Sequence, residues 1–209
     1  MPRMSRAVTE QHRRQVIEST SRLIREKGAD RVTVPEAMAT AGLTHGGFYR
    51  HFASKDDLLA QALAAAFTER RAAMDRITEE HGSADASART AFLAMYLSEL
   101  HRDHPADGCP AAAVAADAAH AEPGTPLRTT FTAGLRQLAD GLRQMDEPAR
   151  DGDADAALAD LALLVGTVLL SRASDDEDLS RAFLAAARDR LAGRAAPSPE
   201  PATAPAPLT

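Results

Sequence analysis

The sequence predicts an all-α chain with a small N-terminal helical head and a larger helical body. Three observations carry this. Apolar residues recur at intervals of three and four along most of the chain, the period of helices with one buried face. The 209 residues contain no Trp and only 4% aromatics, while Ala, Leu and Arg, all good helix formers, are abundant. Charge divides the chain: residues 1–55 hold ten Lys and Arg against five Asp and Glu, and the other 154 hold fourteen against 25, for a net of −6. A basic head on an acidic body suits a partner with a phosphate backbone, because such a partner feels the local balance.

The elements follow in order. Residues 1–8 read as a flexible basic arm. From Glu10 to Lys27 a helix places Val16, Ile17, Thr20, Leu23 and Ile24 on one stripe, with Arg13, Arg14, Arg22 and Arg25 off it, and Gly28 ends it. Thr33 and Glu36 have capping-box spacing, so a short helix begins at Val34, tolerates Pro35 in its first turn and stops at Gly42. Thr44 offers a hydroxyl cap to a second helix carrying Phe48, Tyr49, Arg50, His51 and Phe52. Ser54 caps a third, with Asp56 and Asp57 in its first turn, where the helix dipole favours acids. Helix, glycine turn, helix is the helix-turn-helix pattern.

The third helix continues through Leu59, Leu63, Phe67, Met74 and Ile77 to Gly82 and Ser83. Leu93, Tyr96, Leu97 and Leu100 then form one stripe ending near Pro105. A helix spans Pro110–His120, before Pro123 and Gly124. Leu127, Phe131, Leu135, Leu138, Leu142 and Met145 make an amphipathic helix, followed by a polar break at 146–153. The helix at about 154–172 is apolar nearly all round and should be covered on several sides, with Gly166 allowing close backbone approach. A last helix, about 176–192, carries Leu179, Phe183, Leu184, Ala187 and Leu191. No run of about 18 apolar residues occurs, so neither a membrane span nor a membrane partner is expected. The N-terminus lacks a secretory apolar stretch, and the single Cys fits a reducing cytoplasm.

The run T-V-x-x-x-x-x-x-A-G-L-T-x-G-x-F-Y-x-H-F-x-S-K-x-x-L-L from Thr33 closely resembles the DNA-binding domain of the Tet repressor (TetR/AcrR) family. Gly42, Gly46, Phe48, Tyr49, Phe52, Lys55 and Leu58 fall at the family's spacing over roughly residues 10–60. Ala37-Met38 departs from the usual Ile-Ala and shifts one bulky core side chain. Gly47 replaces a small hydroxyl residue, and Pro35 removes a polar side chain from a place where relatives touch DNA. The resemblance implies a helix-turn-helix domain at 9–55 and a ligand-binding and dimerisation body at 56–193; the Pro- and Ala-rich tail at 194–209 lacks the apolar content to fold and reads as disordered. It also implies that the last two long helices pair with their copies in a homodimer.

Two glycines in the first turn of the second motif helix each cost about 1 kcal/mol relative to Ala, so something should offset them. They allow a nucleic acid to come close to free backbone amides. In the resembling family the positions of His45, Gly46 and Gly47 lie against bases, and those of Tyr49, His51 and Lys55 hold phosphates. Thr33, Thr44 and Arg50 complete the expected DNA-contacting set. Phe48 and Phe52 read as core.

Cys109, at a helix start in D-G-C-P, reads as a small buried hydrophobe, with a thiol sensor of electrophiles or oxidants as the alternative. His101, His104, Cys109 and His120 fit no common zinc spacing, so no metal is expected. No nucleophile with a companion base, phosphate loop or carboxylate pair points to an enzyme or a cofactor. The expected function is a sequence-specific regulator: a dimeric repressor on a near-palindromic double-stranded DNA operator, released by an unknown small-molecule inducer. Phe67, Tyr96, Leu100, Cys109 and Phe131 are the expected ligand-cavity lining. The alternatives are a Cys109-based sensing repressor and an enzyme or carrier with a DNA-binding head.

Overall fold

The computed structural model describes residues 6–81, 86–145 and 153–195, and among these there is no strand. Helix α1 spans Arg6–Lys27, so three residues of the expected arm are helical, while residues 1–5 lie outside the described residues. It ends as the sequence requires: Gly28 takes a φ of +86° and its N–H bonds the carbonyl of Ile24 at 3.0 Å. Helix α2 (Val34–Thr40) starts with the Thr33 hydroxyl accepting from the Glu36 N–H at 3.4 Å. The Glu36 carboxylate pairs with Lys27, tying α2 to the end of α1. Gly42, at φ +73°, closes α2 with the two backbone bonds of a Schellman turn, Gly42 N to Ala39 O and Leu43 N to Met38 O, both 2.9 Å.

The second motif helix is a 3-10 helix, His45–Arg50, and the Thr44 side chain makes no capping bond. With Gly at both 46 and 47, the first turn lacks the propensity to wind as α, and the tighter turn results. Ser54 does cap the next helix, α3 (Lys55–His81): its hydroxyl accepts from Asp57 N, while the Asp57 carboxylate accepts from Ala53 N, both at 3.0 Å. Val16, Ile24, Ala37, Met38, Phe48, Phe52 and Leu58 are buried together as the head's core. The Ala37-Met38 departure therefore keeps a bulky side chain inside the head.

The body comprises the rest of α3, α4 (Ala86–Tyr96), α5 (Glu99–Asp103), α6 (Pro110–His120), α7 (Pro126–Met145), α8 (Asp153–Ala173) and α9 (Glu177–Ala195). The expected closing residues Gly82 and Ser83, residues 146–152 of the expected break and 196–209 of the expected tail lie outside the described residues, whereas Asp153, expected in the break, begins α8, and residues 194–195, expected in the tail, end α9 as helix. Helix α3 packs most heavily on α7, and α8 on α9. The stripe expected from Leu93 to Leu100 is broken: Leu97 closes on Leu93 O, and the Ser98 hydroxyl caps a new helix by accepting from His101 N at 3.1 Å. The turn redirects the chain and leaves Leu100 69% exposed.

Helix α8 differs from expectation in two ways. Over Ala154–Ala173 it is long and apolar enough to cross a membrane, with mean hydropathy 1.7. Its inner face packs on α7 and α9 and carries a buried ion pair, Asp160 to Arg89 of α4 at 2.6 Å. Its outer face is uncovered: Leu158, Leu163, Leu169 and Leu170 are exposed. An added Cβ at Gly166 would meet nothing within 4 Å.

The α3–α7 contact depends on glycine. A methyl at Gly134 would overlap the Phe67 ring, which is buried and cannot retreat, whereas one at Gly141 meets the flexible Met74 Cε at 2.6 Å. Gly134→Ala should therefore lose stability by about 1–3 kcal/mol from overpacking despite its better helix propensity. Gly141→Ala should stay within about 1 kcal/mol of the parent because methionine adapts. Urea unfolding midpoints check both; equal midpoints would mean that the two helices are not held at this spacing.

Candidate nucleic-acid interface and interior cavity

The head presents its motif outward. Thr33, Thr44, His45, Gly46, Tyr49 and Arg50 are exposed, Tyr49 at 80%, and Gly47, His51 and Lys55 are half-buried. A Cβ at Gly46 would meet nothing within 4 Å, and at Gly47 only Met38 Cε at 3.8 Å. The glycines are therefore not required by packing inside the chain, and what they preserve is a bare backbone surface. Phe48 beneath, 1% exposed, anchors the turn against Phe52 with ring centroids 5.6 Å apart.

Lys55 stands at the first turn of α3, its ammonium 3.4 Å from the Asp30 carbonyl. His51 turns its Nδ1 into the head without a hydrogen-bond partner, edge-on to His12 at 6.4 Å. Burial, then the nearby charges of His12, Arg50 and Arg13, hold its pKa below the ordinary histidine value. Its neutral ring is a weaker phosphate ligand than a cation. Arg13 lies 5.7 Å from the centre of the Phe52 ring, adding a cation beside the motif that its helical stripe alone did not single out.

Head and body are joined at several points. Arg22 pairs with Asp107 at 2.5 Å, and Arg25 of α1 with Glu69 of α3 at 2.9 Å. The Asp117 carboxylate of α6 accepts from Ala29 N at 2.5 Å and would lie 3.0 Å from a Cβ on Gly28. Beside this junction a cleft of about 630 Å³ is bordered by Arg25, Lys27, Arg102, Asp103 and Glu177, whose charges are mostly paired with one another or with neighbours.

Of the expected cavity residues, Phe67, Tyr96 and Cys109 are buried, and Phe131 packs edge-on to Phe67 with centroids 6.0 Å apart. Leu100 is not among them, because the Ser98 cap turns α5 away. The small interior cavity is lined instead by Arg70, Met74, Phe92, Tyr96, Leu138, Leu142, Leu161 and Leu164, with about 10 Å³ of free space, the room of about one water. Arg70 was missed from sequence because it sits in α3 among other arginines, and nothing local marks it as the inward one.

Around Cys109 the backbone is knitted by His101. Its Nδ1 lies 2.6 Å from Tyr96 O, and its Nε2 accepts from Cys109 N at 3.0 Å. The ring therefore carries its proton on Nδ1 and is neutral. Both nitrogens are used, so His101 is not poised as a metal ligand. The thiol itself is completely buried. Arg172 reaches the same place, its Nη2 2.8 Å from a Cβ built on Gly108, a cation that sequence proximity to Cys109 did not reveal.

Residues 16–62 match the family model of bacterial regulatory proteins, tetR family. No curated protein matches the chain. Among solved structures it is similar to reduced E. coli NemR, at 21% identity and a TM-score of 0.67, over 87% of this chain and 95% of that one. A TetR-family regulator from Agrobacterium tumefaciens gives 17% identity and a TM-score of 0.70, over 89% and 98%. A TetR regulator from Legionella pneumophila gives 17% and 0.71, over 86% and 95%. The fold is that of a TetR-family transcriptional regulator.

Burial, aided by the positive charge of Arg70, lowers the His101 pKa from 6.5 to about 4. The unfolded chain thus binds a proton between those values that the folded one refuses. Stability should be full above about pH 6.5 and fall as pH drops toward 4, by up to roughly 3 kcal/mol from this residue. Urea midpoints across that range should slope less in His101→Gln than in the parent. Equal slopes would show that His101 titrates freely in the folded protein.

Proposed function

We propose that this chain, whose head belongs to the TetR family of bacterial regulatory proteins, is a dimeric repressor that leaves its operator when a small molecule enters the body. The observation that carries this is the outward, unobstructed His45–Arg50 turn with a bare glycine surface, on a head whose residues 16–62 match that family. In this reading His45, Gly46 and Gly47 approach base edges. Tyr49 and Lys55, with Thr33, Thr44, Arg50 and His51, face the phosphates.

The dimer forms through α8 and α9. Leu158, Leu163, Leu169 and Leu170 of α8 and Leu179 of α9 are exposed, an apolar face that water disfavours and a second copy would cover. Gly166 has open space above it for the partner's backbone. Val168, at 0% exposure, belongs to the subunit's own core. Two heads on a two-fold axis then address half-sites one helical turn apart, or a multiple of it. Ligand binding acts on the spacing of the heads through α3, which begins in the head at Lys55, and through α6, whose Asp117 holds Ala29.

Duplexes selected from a random pool should contain an inverted repeat, and log affinity should fall linearly with log salt. Lys55→Ala should reduce that slope by about one, and Tyr49→Phe should weaken all sequences alike, whereas His45→Ala should chiefly relax sequence preference. An unaltered slope in Lys55→Ala would rule out this docking of the head.

By light scattering the protein should have twice the 22.1 kDa chain mass. Leu163→Glu, on the open face, should give soluble monomers without operator affinity, since an unpaired charge at a buried interface costs several kcal/mol. A Leu163→Glu variant that stays a DNA-binding dimer would place the interface elsewhere.

A further inference from the structure

Two histidines and two arginines of the head gather beside its outward turn. The His12 ring of α1 stands edge-on to the His51 ring, centroids 6.4 Å apart. Arg13 of α1 lies over Phe52, its guanidinium carbon 5.7 Å from the ring centre, and Arg50 precedes His51 in the chain. Glu10 of α1 is the acid that acts on the His51 ring, and it is shared with Arg13 at 3.8 Å. The other packed helices add no free acid. In α3, Gln61 accepts from Arg13 and donates to Asp57, whose second carboxylate oxygen accepts from Ala53 N, while Lys55 reaches the Asp30 carbonyl. In α2, Glu36 is paired with Lys27.

Both imidazoles are half-buried, and the His51 Nδ1 is sealed from water without a partner. A further positive charge placed there is repelled at short range and poorly hydrated. Burial first, then His12, Arg50 and Arg13, therefore keep the free protein's His51 ring uncharged at neutral pH. We propose that docking on DNA drives a proton onto the His12–His51 pair, so that this regulator binds DNA more tightly as pH falls.

A phosphate beside His51 brings a negative charge into a cluster whose own charges repel one another, and it favours the imidazolium over the neutral ring. Linkage is reciprocal: whatever factor DNA adds to the proton's affinity, the proton adds to the affinity for DNA. The free ring's pKa lies below 6.5, and the phosphate raises it. Below the free value the ring is already charged and affinity is at its ceiling. Above the bound value no proton enters and affinity is at its floor. Between the two, affinity falls as pH rises, and a dimer with two heads falls twice as steeply as one head.

The inference rests on the docking of the head proposed above, and the test separates the two. A labelled duplex of arbitrary sequence serves as probe, because every sequence presents the same phosphates. Its affinity for the full chain, read by fluorescence anisotropy at fixed ionic strength, should fall at least about ten-fold from about pH 6 to pH 8, one pKa unit being a factor of ten. His51→Gln, which cannot take the charge, should lose most of that dependence. His12→Gln should move the fall to higher pH, because His51 loses a neighbour that opposes its charge. In the parent, the ring resonance that His51→Gln removes should titrate at higher pH with the duplex bound than without it. A pH dependence equal in His51→Gln and the parent would overturn the proposal, as would a His51 titration that the duplex leaves unmoved. If affinity falls with salt but is flat in pH, the head docks as described and the proton linkage fails. If it responds to neither, the docking fails and the linkage with it.

Discussion

The structure depends on how the carbonyl groups between Leu97 and Asp107 are satisfied. Helix α5 is only five residues long, so most of its carbonyls have no partner four residues on. Two of these, and the flanking carbonyls of Leu97 and Asp107, go to cations from three other helices. Arg188 of α9 donates to Leu97 O at 2.6 Å, Arg172 of α8 to His101 O and Arg102 O at 2.7 and 2.8 Å, and Arg70 of α3 to Asp107 O. His101 completes the knot from within by joining Tyr96 O to Cys109 N. Each guanidinium suits the negative end of a short helix, and each fixes a different long helix to one short segment.

That segment is also where head meets body. Asp107 receives Arg70 on its carbonyl and Arg22 on its carboxylate, so one residue touches α3 and α1 together. A second tie runs through α6, whose Asp117 takes the Ala29 amide just after the Gly28 turn. A substituted Gly28 would be strained at φ +86° and crowded by that carboxylate. The head is thereby held to the body by polar contacts of defined direction, and α3, which begins in the head at Lys55, continues into the body as one helix.

The fold leaves the opposite side of the body unfinished. Helix α8 uses one face for α7, α9 and the buried Arg89–Asp160 pair, and offers the other as a row of leucines around Gly166. A helix apolar on all sides has two ways to hide its second face, a membrane or another protein. The charged pair and Ser171 on the inner face, the latter bonded to Ser180 at 2.8 Å, suit a helix in a protein layer.

What the sequence determined by itself was local. The glycine stops at 28 and 42, the Ser54 cap, the helix-turn-helix spacing and the burial of Phe48 and Phe52 all follow from residues within a few positions of one another. Hydrogen bonds and rotamers over that range leave a pattern in the string. The apolar face of α7 was legible for the same reason. Tertiary structure alone decided which arginine turns inward, because Arg70 and Arg71 differ only by the rotation of α3 against partners far along the chain. It decided that Leu100 faces solvent, since the Ser98 cap starts a new helix where α4 could have continued, and Arg188 of α9 takes the Leu97 carbonyl at that break. It decided as well that α8 buries Val168 and leaves open space over the half-buried Gly166. On a helix apolar all round, periodicity gives no phase, and only the neighbours' positions choose the inside.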